Sequence, residues 1–414
     1  MPVDQTPVRA AVVGTGGVVS GSHLQALRAH AGRVRLVGAA DVDDRRLAAF
    51  LELAGDGVNG YPDIDELLAG ERPDLVLIGT PPSLHAGQIR TALRAGAWVL
   101  CEKPLCLSLA EYDAIAAEEG GGSAGSGAAP GAEAGAGAGA GSGYGPGSAS
   151  GPGCGGSASR GSGGPYVSVV FQHRYGSGAA HARGLLRSGR LGAPLVAHCQ
   201  TTWYRDSGYY SVPWRGRWDT EGGGPTMGHG IHQMDLLLHL LGDWSEIRAM
   251  AGRLVHDVES EDVSTALVRF ENGAVATVVN SVLSPDEVSR IRIDCTDATV
   301  ELTHLYGYGN DDWAYTPAPH VRTQPERTTH WRTPAAAVPS SHAAQLGGFL
   351  DALEQGERPP GSGPDARRTL EFLAALYKSA FTAAPVHKGE ITPQDPFYLA
   401  MHGDHPDWAP KEHR

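Results

Sequence analysis

The sequence predicts an α/β protein in two parts: a parallel, helix-covered sheet first, then an α+β part with an open, largely antiparallel sheet. Three observations predict it. Short apolar runs (Val8–Val13, Val34–Ala40, Asp74–Gly79, Ala97–Leu100) alternate with stretches of helical spacing, and unbroken apolar strands need both faces covered, as in a parallel sheet. Later runs (Val263–Phe270, Ala274–Asn280, Arg290–Cys295) alternate apolar with polar residues, with Asn272-Gly273 as a hairpin turn, which is the pattern of antiparallel strands with one covered face. The 414 residues allow two or three domains, and the division is expected at 1–175 and 176–414.

Composition excludes some function classes. A formal net charge of -13 argues against nucleic-acid and anionic-membrane partners, which reward clustered Lys and Arg. No apolar run approaches the ~18–20 residues of a membrane span, and Met1 to Thr6 lacks a basic-then-apolar leader pattern. The five cysteines are scattered without C-x-x-C spacing. This suits reduced thiols in a cytoplasm, the expected location, and offers no metal site.

Val8–Val13 runs straight into Gly14-Thr15-Gly16-Gly17-Val18-Val19, and Leu24, Ala26, Leu27 and Ala29 predict a helix from about Ser20 to His30. Strand, glycine turn and helix together are the context that a G-x-G-x-x-G stretch requires. Gly14 permits the tight turn, and Gly16 lets the backbone approach a pyrophosphate. The helix start, near Gly17 and Val18, offers that anion unpaired N–H groups and a positive dipole end. Val19 replaces the third glycine, so helix and strand are expected slightly further apart. The second strand stops at Asp41, where an acid accepts hydrogen bonds from an adenosine ribose and repels a 2′-phosphate. This predicts NAD in preference to NADP, softened by Arg45 and Arg46. Asp41 suits a helix N-cap equally well. The first part therefore reads as a Rossmann dinucleotide-binding domain.

The third strand ends in Thr80-Pro81-Pro82-Ser83-Leu84-His85, a stiff turn before a helix over Ala86–Ala95. The fourth ends in Cys101-Glu102-Lys103-Pro104. Pro104 has no N–H for the ladder, so Glu102 and Lys103 stand at the carboxyl edge, where open α/β sheets bind ligands. A plain solvated strand end would look the same. A cis peptide before Pro104 would turn Lys103 into the crevice. Gly120–Gly164 is almost all Gly, Ala and Ser and reads as a disordered surface insertion between a helix (Leu109–Glu118) and a strand (Tyr166–Phe171). That strand delivers Gln172, His173 and Arg174 to the same edge. Helices are expected over Ala180–Ser188, Ala343–Leu353 and Asp365–Phe381, with Asp395–Tyr398 and the tail irregular.

On these residues the chain resembles the Gfo/Idh/MocA family of oxidoreductases, which includes glucose–fructose oxidoreductase and inositol dehydrogenases. The resemblance rests on Gly14-Thr15-Gly16-Gly17, Asp41, Thr80-Pro81-Pro82 with His85, and Glu102-Lys103-Pro104. Trp214-Arg215, Gly222-Gly223-Gly224, Gly230-Ile231-His232 and Asp235-Leu236 extend it through the second part. It implies an NAD-dependent dehydrogenase acting on CH–OH groups of a sugar, polyol or cyclitol, and a homo-oligomer formed through the C-terminal sheet. The implied cofactor contacts are Gly14, Thr15, Gly16, Gly17, Val18, Asp41, Thr80, Pro81 and His85, with Glu102, Lys103, Arg174, Trp214 and Arg215.

His229, His232 and Asp235 recur at three-residue spacing and so share one broad helix face. A dehydrogenase must remove a hydroxyl proton as hydride leaves the same carbon, and a neutral imidazole suits that task. Lys103 would stabilise the developing alkoxide, and Asp235 is available to fix the tautomer of His232. A hydrogen-bonded interfacial histidine is the plainer reading of His232. Family members often carry an acid four residues before the catalytic histidine. Here that residue is Gly228, which leaves the acid's part missing or taken by His229. Trp203, Tyr204, Tyr209, Tyr210, Trp214 and Trp218 suit either a polyol site or a domain interface. Two other readings stay open: NAD-dependent glycosidase-type chemistry on the same site, and a non-catalytic dinucleotide-sensing protein.

Overall fold

The computed structural model describes residues 6–120 and 163–408. The Gly120–Gly164 insertion, apart from its ends, and Cys154 lie outside the described residues.

The first sheet has six strands: β1 (Val8–Val13), β2 (Val34–Ala40), β3 (Asn59–Tyr61), β4 (Leu75–Ile78), β5 (Trp98–Cys101) and β6 (Val167–Val169). All are parallel, in the order β3-β2-β1-β4-β5-β6. The order reverses between β1 and β4, and the crevice outside their carboxyl ends is where such sheets take ligands. Alternate residues of one strand serve two cores, because side chains leave a strand on opposite faces. Val8, Ala10 and Val12 join one apolar cluster, and Ala11 and Val13 the other. The first cluster is closed by Leu346, Phe349, Leu350 and Leu353 of the helix His342–Gln355. That helix is distant in sequence but packs on the N-terminal sheet.

The second sheet has eight strands: β7 (Pro194–Tyr204), β8 (Trp244–Gly252), β9 (Val263–Phe270), β10 (Val275–Ser281), β11 (Leu283–Cys295), β12 (Ala298–His304), β13 (Trp313–Pro317) and β14 (Val386–His387). Their order is β13-β12-β11-β7-β10-β9-β8-β14. Among the described residues every pair is antiparallel except β10 with β7, so the sheet is largely antiparallel, as expected. The helices Ile231–Leu241 and Pro364–Thr382 cover one face with rows of buried leucines and aromatics. On the other face Met250 is 75 % and Leu267 61 % exposed.

The missing third glycine is accommodated differently from the expectation of a wider gap. Val19 is fully buried, and a Cβ on Gly79 would lie 2.4 Å from its Cγ2. The absent side chain at the end of β4 makes room for the extra one at the helix start. That start is a π-helical turn, Val19–His23, before the α-helix Leu24–Ala29.

Candidate active site

The crevice between β1 and β4 opens into a cavity of about 910 Å³ that continues to the second sheet. Gly14 turns the chain at φ 84°, and a Cβ there would lie 2.9 Å from the Gly79 carbonyl carbon and oxygen. Among the described residues, chain neighbours apart, no atom lies within 4 Å of a Cβ added at Gly16 or Gly17, so their backbone faces the open cavity, as an incoming pyrophosphate requires. Val18, Thr80 and Pro81 border the same space.

Asp41 also lines the cavity while clamping the loop. Its Oδ2 accepts from Thr15 N at 2.8 Å and from Thr15 Oγ1 at 2.9 Å. Its Oδ1 accepts from Asp43 N at 2.9 Å, with Arg46 Nη2 at 3.4 Å. Burial alone would raise its pKa, but the Thr15 and Asp43 N–H groups and Arg46 hold it below the usual carboxylate range. The N-cap of the following helix is Asp43. Thr15 and His85, expected to touch the cofactor, stand one layer behind the cavity wall. Thr15 orients Asp41. His85 is fully buried, its Nδ1 2.7 Å from Pro104 O and its Nε2 2.9 Å from Thr80 O, so it braces two cavity loops.

Arg174 is placed differently from its expected cofactor role. It lies in the core, where its Nε and Nη2 each donate at 2.6 Å to Asp235 and its Nη1 donates at 2.7 Å to Asp365. Thr369 Oγ1 donates to Asp235 at 2.8 Å. Asp235 is therefore not the partner of His232. Three residues advance a helix by about 300°, leaving ~60° between the two side chains. That is enough to put His232 on the cavity and Asp235, fully buried, in the core.

At the end of β5, Glu102 Oε1 accepts from His23 Nε2 at 2.9 Å and from His342 Nε2 at 3.1 Å. Burial would raise its pKa, but these two bonds hold it well below the carboxylate range. Two histidines and a carboxylate are also a set that metals accept. The buried Nδ1 of His23, however, has no partner among the described residues. A metal on Nε2 would leave Nδ1–H without its customary acceptor, so the donor set fits a hydrogen-bonded carboxylate better. No motif marks His23 or His342, and only packing joins them to Glu102.

The Lys103–Pro104 peptide is cis, as expected. Lys103 Nζ donates to Gly228 O at 2.7 Å, within the π-helical turn Thr226–Gly230 that precedes His232. Burial lowers the pKa of Lys103, opposed by the nearby carboxylates of Glu102 and Glu221. His229 and His232 both line the cavity. Burial, with Lys103 beside them, pushes both well below the usual imidazole value, so they are neutral near pH 7. The Nδ1 atoms of both are buried without a partner among the described residues. His229 Nε2 lies 3.4 Å from Tyr209 OH.

Trp203, Tyr209, Trp214 and Tyr306 form an aromatic wall. The Arg215 guanidinium stacks 3.9 Å from the Tyr209 ring centre and 4.3 Å from that of Trp214. Trp218 is buried against Tyr377 instead. Tyr306 and Glu221 also line the cavity, although neither stands in a recognisable motif.

An oxidoreductase family with an NAD-binding Rossmann fold matches residues 8–120, and the GFO/IDH/MocA C-terminal domain matches residues 179–301. The chain is 25 % identical over 389 residues to a D-apiose dehydrogenase of Paraburkholderia graminis, covering 90 % of this chain and 87 % of that one. It is 23 % identical over 368 residues to inositol 2-dehydrogenase 2 of Paenarthrobacter aurescens, covering 86 % and 91 %. Among solved structures, the WlbA dehydrogenase of Chromobacterium violaceum, in complex with NADH and UDP-GlcNAcA, has the same fold. Its TM-score is 0.73 at 21 % identity, over 95 % of this chain and 98 % of that one.

Proposed function

We propose a reaction for this chain, which belongs to the Gfo/Idh/MocA family of NAD-binding oxidoreductases: the oxidation of a secondary alcohol of a sugar, polyol or cyclitol, or its reverse. The observation that carries the proposal is the convergence of Lys103, from the end of β5, and His232, from the helix Ile231–Leu241, on one cavity with the glycine turn. Relatives named D-apiose dehydrogenase and inositol 2-dehydrogenase support the substrate class.

NAD, when bound, supplies the hydride acceptor. The open backbone at Gly16 and Gly17 suits its pyrophosphate, and Asp41 suits the adenosine ribose. Neutral His232 receives the hydroxyl proton at Nε2, the ring nitrogen not enclosed by the core. The Lys103 ammonium stabilises the oxygen as its negative charge grows. The aromatic wall offers apolar faces to C–H groups, and Arg215, His229 and Tyr209 offer polar edges to hydroxyls.

The test is the absorbance of reduced nicotinamide across a panel of polyols and sugars, with NAD and NADP in parallel. Steady reduction of NAD, slower with NADP, is expected. Glycoside cleavage without net reduction would replace the reading with redox-assisted hydrolysis, and cofactor binding without either reaction would replace it with dinucleotide sensing.

We also assign the open face of the second sheet to self-association, on the strength of exposed Met250 and Leu267. Sedimentation should find an oligomer that Leu267→Lys weakens, whereas a monomeric wild-type chain would remove the assignment.

A further inference from the structure

Residue 228 has no side chain, and two charged groups converge on it. Lys103 Nζ donates to its carbonyl at 2.7 Å. Glu221 Oε1 lies 3.5 Å from the point that a Cβ on residue 228 would occupy. Glu221 belongs to the segment before the helix, yet the residue is only 6 % exposed and borders the cavity. Its Oε2 accepts from Gly216 N at 2.7 Å, and its Oε1 accepts from Arg215 Nη1 at 3.2 Å. Arg215 Nη1 also contacts Tyr209 OH. A carboxylate taken out of water needs compensation, and one N–H with a shared guanidinium supplies only part of it. A further nearby counter-charge is the Lys103 ammonium, bonded to the Gly228 carbonyl.

We infer that Glu221 is a positioning residue acting through Lys103. Its carboxylate, delivered from outside the helix, occupies the place of a side chain at 228 and keeps Lys103 charged and turned toward the cavity. The inference rests on the proposed role of Lys103. Glu102 is the stronger of the two carboxylate influences on Lys103, with its Oε1 also engaged by His23 and His342, and Glu221 adds to it. The ionisable groups acting on or through Glu221 are Lys103, Arg215, Tyr209 and Tyr210. Burial raises the pKa of Glu221, opposed by Gly216 N–H, Arg215 and Lys103. Glycine at 228 matches this arrangement: a Cβ fits at ordinary contact, but an acid reaching beyond it would meet Glu221.

The chain has four lysines, Lys103, Lys378, Lys388 and Lys411, so Lys103 can be followed by ¹³Cε NMR through a pH titration of the full chain. Its signal is assigned by its loss in Lys103→Met. In Glu221→Gln, which keeps an acceptor for Gly216 N–H, the Lys103 ammonium should become about tenfold more acidic, one pH unit. In Glu221→Ala with Gly228→Asp the new carboxylate has the vacated space, and the titration should return to within about threefold of wild type. An unshifted Lys103 in Glu221→Gln overturns the pairing. A shift that the double variant leaves uncorrected, with its melting temperature intact, overturns the equivalence of position 228. The titration needs no substrate, so failure of every polyol would remove the proposed reaction while the lysine signal still decides this inference.

Discussion

At the scale of single residues, the site depends on which atoms remain free. Among the described residues His232 has no carboxylate partner to steady its ring, because Asp235 is held by Arg174 and Thr369. Its place comes from packing and from the turn that Lys103 anchors at Gly228. His232→Ala should lower kcat by about 10²–10⁴, the usual contribution of a positioned general base, with only a modest change in NAD affinity. His232 is held well below the usual imidazole value, by burial first and Lys103 second. Its deprotonated, active form is therefore lost only under acidic conditions. The acidic limb of the wild-type pH–rate profile should lie below about pH 6.5 and flatten in His232→Ala. An unaltered limb in the variant would move the base to His229, which lines the same cavity.

At the scale of elements, the N-terminal crevice depends on a fit between the end of β4 and the first turn after β1. Val19 lies where the family fingerprint has glycine, and Gly79 leaves the space for it. Gly79→Ala would place a methyl 2.4 Å from Val19 Cγ2. Overpacking of a close-packed core costs about 1–3 kcal/mol, which should appear as a lower denaturant midpoint and weaker NAD binding. Adding Val19→Ala should restore most of both. A Gly79→Ala protein as stable as wild type would show that the helix start can shift without loss.

At the scale of the whole molecule, buried histidines set the response to acid. Burial lowers His85, His173, His229, His232, His239, His304 and His402. It takes His173 to about 4 and His304 to about 3. Unfolding releases these rings to their ordinary value, so below about pH 6.5 the unfolded chain binds more protons than the native one and stability falls. Each such histidine adds a slope of up to about 1.4 kcal/mol per pH unit. Buried Glu221, Asp235 and Glu261, raised by burial, act in the opposite direction and offset part of this slope. Urea midpoints should therefore be level between pH 8 and 7 and drop steeply from pH 6.5 to 5. A flat series would mean that these rings take up protons without unfolding.

The sequence alone determined five of the six parallel strands, the glycine turn, Asp41, Glu102-Lys103-Pro104 and the helical segment carrying His229 and His232. These follow from strand periodicity, the φ that glycine permits and the N–H that proline lacks, all of which act over a few neighbouring residues. It left β3, β7, β8, β12, β13 and β14 unmarked, because short strands and mixed polar and apolar strands declare themselves only when paired. The tertiary structure decided the rest: His23 and His342 on Glu102, Arg174 on Asp235, Glu221 at the empty side of Gly228, and the helix His342–Gln355 on the first sheet. Each joins groups on separate elements. Buried charges and donors must find partners somewhere, and only the packing of the whole chain settles which of the available groups is within reach.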